Sequence, residues 1–181
     1  MAVPRMLLAR VLNPDAPEAL VCISIAQLAR KPEHPAEEAF EILIQAYAGD
    51  PREAVDQAVC DGVLDVLIRA PHTDPLARQL DSLRAFRGDR FARLLAFVVA
   101  SRQVPTTARQ AAVAALATHD ESDLSGEMMA AIEATLRVIL FDVAEDAEVR
   151  QGILKAFGPT RTARPHVYAA AGSRDDETTM L

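Results

Sequence analysis

Tryptophan is absent from this chain, and only two tyrosines and six phenylalanines stand among its 181 residues. A β-sandwich draws its core from aromatic and β-branched residues, so this scarcity argues against one. Half of the residues are nonetheless apolar, carried by Ala, Leu and Val, and small side chains of this kind suit helix-on-helix packing. Cysteine is as scarce as tyrosine. Cys22 and Cys60 lie inside apolar helical patterns, without a CxxC pair or a His/Cys cluster at metal-ligand spacing. They read as buried free thiols of a reducing compartment. Basic runs are missing too. The net charge is −7 and Arg is spread singly, as in "FARLL" and "TLRVIL", so the electrostatic footprint of a nucleic-acid binder is absent. No segment approaches the length of a membrane span. The opening "MAVPRMLLARVLNPD" is interrupted by Arg5 and Arg10, unlike a secretory leader. The expectation is an intracellular protein, cytoplasmic or nuclear, with no membrane or nucleic-acid partner.

Proline supplies the punctuation. It falls at 14, 17, 32, 35, 51, 71, 75, 105 and 159, mostly beside Asp, Asn, His or Thr. Proline fits the first turn of a helix and breaks its interior. Between these marks apolar residues recur at spacings of three and four, as in Phe91, Leu94, Leu95, Val98 and Val99. The pattern predicts an all-α chain with helices over 3–12, 16–30, 35–48, 51–60, 62–70, 75–87, 89–102, 105–118, 124–142 and 146–157. Short loops make neighbouring helices antiparallel. The segment from Pro159, "PTRTARPHVYAAAGSRDDETTML", has no sustained apolar period and reads as a disordered tail, 159–181, behind a helical domain, 1–158.

The helices repeat. "PTTARQAAVAALA" at 105–117 aligns without a gap with "DAEVRQGILKAFG" at 146–158, setting Arg109 against Arg150 and Gln110 against Gln151. "DPLARQLDSLRAF" carries the same "ARQ", and "HPAEEAFEILIQAYAGD" opens on Pro35 as that segment opens on Pro75. Spacings near 40 belong to helical repeat arrays, whose units bury their apolar faces by stacking.

Residues 50–88 resemble an armadillo repeat: "PREAVDQAVC" as a short first helix, "DGVLDVLIRA" as a Gly-led second and "DPLARQLDSLRAF" as a long third. Gly62 would then permit the sharp turn between the first two. "DAEVRQGILKAFG" is similar to the related HEAT pattern, with Asp146 as N-cap or first-turn acid. The resemblance implies a short right-handed superhelical array of about four stacked units. It also implies a protein-binding scaffold whose third helices line a concave groove for an extended peptide. The Trp and Asn ladder of the peptide-binding members is missing: its positions carry Glu41 and Gln45, Arg84 and Gly88, Ala114 and Thr118, and Lys155 and Pro159. What would line the groove is mixed in charge, with Glu38, Glu41 and Gln45 at one end, Arg78 and Arg84 in the middle, and Arg150 and Lys155 at the other. Glu41, Gln45, Arg78, Arg84, Thr118, Arg150 and Lys155 are therefore the candidate protein-binding residues. The same charges also suit the solvated faces of ordinary amphipathic helices.

Chemistry has little to stand on. His34, His72 and His119 sit at turns, where capping or solvent-facing roles are ordinary, and His166 lies in the tail. Glu37, Glu38 and Glu41 share a helix face as solvated carboxylates do. No nucleophile elbow, Walker loop or dinucleotide fingerprint occurs. The expectation is a non-enzymatic scaffold or adaptor with no cofactor or metal, binding a protein or extended peptide. Two alternatives are a small helical subunit of an oligomer and an enzyme on a helical scaffold. "TLRVILFDV", 135–143, is apolar on nearly all sides and suggests deep burial or a subunit contact. The terminal Thr-Met-Leu resembles a PDZ ligand, a pattern short enough to arise by chance.

Overall fold

The computed structural model describes residues 3–70, 83–85, 87–119 and 122–158, with the side chain of Arg84 left out. These residues form helices α1 (Arg5–Val11), α2 (Glu18–Arg30), α3 (Ala36–Gly49), α4 (Glu53–Arg69), α5 (Asp89–Ala100), α6 (Thr106–Leu116) and α7 (Gly126–Phe141). An eighth, α8, covers 147–158, and a single 3-10 turn covers Leu83–Ala85. Strand is absent among the described residues, so the protein is all-α as its composition demands. The helix expected over 75–87 and the tail over 159–181 lie outside the described residues, the 3-10 turn excepted.

Proline starts helices as the sequence suggests. Pro4, Pro17, Pro35 and Pro105 occupy the N-cap positions of α1, α2, α3 and α6, and none of these ends needs a side-chain cap. Before three of them runs one five-residue turn, at 13–17, 31–35 and 101–105, and it recurs at 142–146 before α8. In each, the N–H of the fourth residue donates to the carbonyl of the first: Ala16 to Asn13, His34 to Lys31, Val104 to Ser101 and Glu145 to Asp142. All four of these fourth residues are buried. The turn thus reverses the chain while pointing one side chain into the core.

Arginines hold three of these turns from a distance. Arg52 Nη1 donates to the Ala16 carbonyl at 2.8 Å and Arg69 Nη1 to the His34 carbonyl at 3.2 Å. Arg109 pairs with the Glu145 carboxylate itself through bonds of 2.7 and 2.8 Å. Each reaches back or forward about two helices along the chain.

Packing follows the same interval. α2 lies against α4, α4 against α5, and α5 against α7, while α1 lies against α3 and the 3-10 turn against α6. The bonds Thr106–Asp146 and Gln110–Glu148 join α6 to α8. The helices α2, α4, α5 and α7 therefore form one row, with the pairs α1–α3 and α6–α8 packed against it, and the core includes Val21, Ile25, Leu43, Val63, Leu94, Ala112 and Ile153.

The helices expected at 51–60 and 62–70 are one continuous helix, α4, so Gly62 does not make the turn assigned to it. It lies buried where α4 crosses α2 and α3. A Cβ built there would stand 3.2 Å from Ile25 Cγ2, 3.3 Å from Leu43 Cδ2 and 3.4 Å from Ala29 Cβ. Glycine is there because the neighbours leave no room for a side chain. Gly62→Val should therefore lose about 1–3 kcal/mol to overpacking. Gly62→Ala should come out near neutral, since the crowding offsets a helix-propensity gain of about 1 kcal/mol. Paired thermal melts check this; a Val variant as stable as the parent would show that α2 and α4 can part freely.

Candidate protein-binding grooves

The expected site residues do not form one surface. Glu41 and Gln45 lie one turn apart on α3, both exposed, and Gln45 Nε2 donates to Glu41 Oε1 at 3.3 Å. Gln45 also lines a groove of about 340 Å³ between α1 and α3, floored by Leu12, Pro14, Ala46 and Gly49. Glu38 is not free to serve it, because its carboxylate accepts from the Val3 N–H at 3.1 and 3.2 Å. Lys155 is exposed on α8, in a groove of about 700 Å³ between α6 and α8. Arg150, on α8 as well, is half-buried, and its Nε is shut off from solvent without a hydrogen-bond partner. Thr118 is consumed locally: its hydroxyl donates to the Ala115 carbonyl at 2.7 Å and accepts from Arg87 Nη1 at 3.0 Å. The side chains of Arg78 and Arg84 lie outside the described residues.

The α6/α8 groove contains two residues that the sequence reading did not nominate. Gln110 lines one wall and Gln151 the other, over a floor of Val113, Ala114, Ala117, Gly152 and Ala156. These are the two glutamines that the ungapped alignment of 105–117 with 146–158 sets against each other. The arginine before each has a different fate. Arg109 turns inward to Glu145, with only 3% of its side chain exposed, and Gln110 is left facing the groove beside Glu148, to which its Nε2 donates at 3.3 Å. A primary amide offers donors and an acceptor together, so two of them on facing walls match the alternating N–H and C=O of an extended backbone. Lys155 adds a cation at the rim, and the floor residues are short enough for a bound chain to approach.

The titratable groups that depart from ordinary behaviour are tied into structure. Hydrogen bonds from the Arg109 guanidinium hold the Glu145 carboxyl below its usual range, and those from Arg52 do the same for Asp50. The Glu148 N–H, donating to Oδ1 at 2.7 Å, and the Thr106 hydroxyl lower Asp146, which caps α8 as its position implies. Ser125 lowers Asp89 by donating both its hydroxyl and its N–H, which links the starts of α5 and α7. Burial pushes the Cys60 thiol up to about 12, and burial likewise raises Cys22, whose Sγ donates to the Ala54 carbonyl at 3.5 Å. Both are poorer nucleophiles than an ordinary cysteine.

The histidines differ from expectation. His34 and His119 are buried at 3% and 4% exposure, not solvent-facing, and neither ring nitrogen of either has a hydrogen-bond partner. His34 is the inward residue of the 31–35 turn, which explains its burial. His72 and His166 lie outside the described residues. Among the described residues no three His, Cys, Asp or Glu side chains are arranged to hold a metal ion, and no helix is long and apolar enough to cross a membrane.

Comparisons with models of protein families, with characterised proteins and with solved structures return no match for this chain. The described residues define the class: an all-helical protein with open grooves between α1 and α3 and between α6 and α8.

Proposed function

We propose that this protein is a non-catalytic binding scaffold, a short superhelical array of stacked helix pairs in the manner of armadillo and HEAT proteins. We propose further that it holds an extended segment of a partner protein in the groove between α6 and α8. The observation that carries the reading is the pairing of Gln110 and Gln151 across that groove, above a floor of small residues and beside Lys155. Supporting the array are the recurring turn, the arginines that clamp it, and packing confined to elements one or two along the chain. In a stacked array each unit meets only its neighbours, which gives this contact pattern. The Lys155 ammonium favours a partner segment bearing an acidic residue, since opposite charge at a groove rim steers approach and fixes register. The raised thiols and tethered carboxylates support a role in binding over one in catalysis.

Panning a random-peptide display library on the full chain tests this. Acidic, extended sequences should be enriched, and Lys155→Glu should lose them or exchange them for basic ones. Gln110→Ala with Gln151→Ala should weaken the recovered peptides by about tenfold or more, the size of losing one or two net hydrogen bonds. If the recovered peptides bind both variants as well as the parent, the groove is not the site.

A further inference from the structure

α7 buries a single stripe, Met128, Ile132, Leu136 and Ile139, and leaves its opposite side bare. That side reads Ala130, Ala134, Val138 and Phe141, all exposed, with Val138 and Phe141 at 71% and 72% and Val143 just beyond at 90%. Spacings of four, four and three keep these residues on one face of a helix. Along one flank stand Glu133 and Arg137, both half-buried, neither in an ion pair with a described residue, and Arg137 Nε has no hydrogen-bond partner. The expectation that 135–143 would be deeply buried therefore fails on this side, and the alternative expectation, a subunit contact, is what the exposure favours.

We propose that this face pairs with its own copy, α7 against α7, antiparallel about a two-fold axis that crosses the helix between Thr135 and Leu136. The face is self-complementary in both size and charge. Such an axis sets Ala130 opposite the partner's Phe141 and brings Ala134 to within one residue of the partner's Val138, so the small half of each stripe receives the large half of the other. It also brings Glu133 to within one residue of the partner's Arg137, twice by symmetry. A two-fold interface requires that residue i meet j while j meets i, and the three pairs centre at 135.5, 136 and 135, within about one 1.5 Å helical rise of a single axis. An apolar centre flanked by charge is the composition of a protein interface. This surface is distinct from the α6/α8 groove, and the pairing stands or falls independently of peptide binding.

Sedimentation velocity on the full chain, from dilute to concentrated protein, gives the test. The parent should pass from monomer to dimer, and Phe141→Glu should remain monomeric while its own melting temperature stays that of the parent monomer. Glu133→Arg alone and Arg137→Glu alone should each weaken association by about tenfold or more, since each sets like charges together. Mixed in equal amounts, those two variants should associate, because every arginine then faces a glutamate of the other chain. A parent that is monomeric throughout overturns the proposal, as does a dimer that survives Phe141→Glu or a mixture that fails to associate. A monomeric parent that Phe141→Glu destabilises assigns the face to residues of the same chain.

Discussion

Glu145→Ala is expected to destabilise the fold by about 3–5 kcal/mol, the cost of stranding one member of a buried ion pair. Arg109 and Glu145 expose 3% and 4% of their side chains and meet through two parallel bonds. Arg109 Nε is spent on the Val99 carbonyl at 2.8 Å, and Glu145 Oε1 also accepts from the Asp146 N–H at 2.8 Å, so all three guanidinium nitrogens and both carboxylate oxygens are hydrogen-bonded. Removing the carboxylate leaves a buried guanidinium with two donors that have lost their acceptor. A loss of that size lowers the melting temperature of a chain this long by roughly 10 °C or more. The double variant Arg109→Met, Glu145→Leu should recover most of the loss, because apolar replacement of a buried pair is often near neutral. The pH dependence has a definite sign. The Glu145 carboxyl is lowered in the fold from an ordinary value of 4.5. Its contribution is therefore complete above that value and is lost as pH falls through the depressed folded value. Melts of the parent and Glu145→Gln, run from neutral pH downward, should converge in acid. Parallel curves would mean that the carboxylate contributes nothing through its charge.

That pair also shows where sequence reading stopped. The helices were legible because apolar residues at three and four, closed by proline, are a local signal: α2, α3, α5, α6 and α7 fall within two residues of the expected bounds. The turn was legible in principle, for "NPDAP" and "KPEHP" are the same five residues of chain with proline at second and fifth place. "SRQVP" and "DVAED" fold identically with different letters, and nothing in them announces an inward fourth residue. His34 consequently read as a capping or solvent-facing residue, and nothing in the sequence singled out Glu145. Whether a turn residue is buried depends on what packs across it, in these cases α6 and α4, and that information is not local.

Gly62 failed for the opposite reason. A glycine between two helical stretches is a turn signal when the flanking helices can diverge, and a close-approach signal when they cannot. Only the neighbours Ile25, Ala29 and Leu43, far away in sequence, distinguish the two. The candidate binding residues fared similarly. Gln45 and Lys155 line grooves, while Thr118 has its hydroxyl bonded away. The alignment of Gln110 with Gln151 was visible as a repeat, but its consequence, two amides facing one another across α6 and α8, needed the pairing of those helices. Leu154 shares α8 with the buried Val149 and Ile153 and yet is 43% exposed, because α8 packs through one stripe only.

Arg90→Ala should be nearly as damaging as loss of Glu145, and in a different way. α4 and α5 touch sparsely, and Arg90 is the side chain that joins them. Its Nη2 donates to the carbonyls of Tyr47 and Asp50 at 2.7 and 2.8 Å, at the end of α3. Its Nε donates to Asp56 Oδ2 at 3.1 Å, at the start of α4. The guanidinium lies 4.7 Å from the Tyr47 ring centroid, and the Tyr47 hydroxyl donates back to the Arg90 carbonyl at 2.6 Å. Tyr47 in turn meets Phe91 edge-on at 5.2 Å. Two helix-terminal carbonyls and a carboxylate thus converge on one fork-shaped cation. A lysine cannot reproduce that geometry from a single nitrogen. A third of the Arg90 side chain meets solvent, 33%, so the expected cost is about 2–3 kcal/mol, below that of a fully buried pair. The cost should fall on the coupling between α1–α4 and α5–α8 more than on either half. Calorimetry should then show the van't Hoff enthalpy of Arg90→Ala dropping below its calorimetric enthalpy, the mark of halves that no longer melt together. Arg90→Lys should fall between parent and alanine. An alanine variant with the parent's melting temperature and a single cooperative transition would show that the helices are joined by apolar packing alone, and that this arginine only decorates the seam.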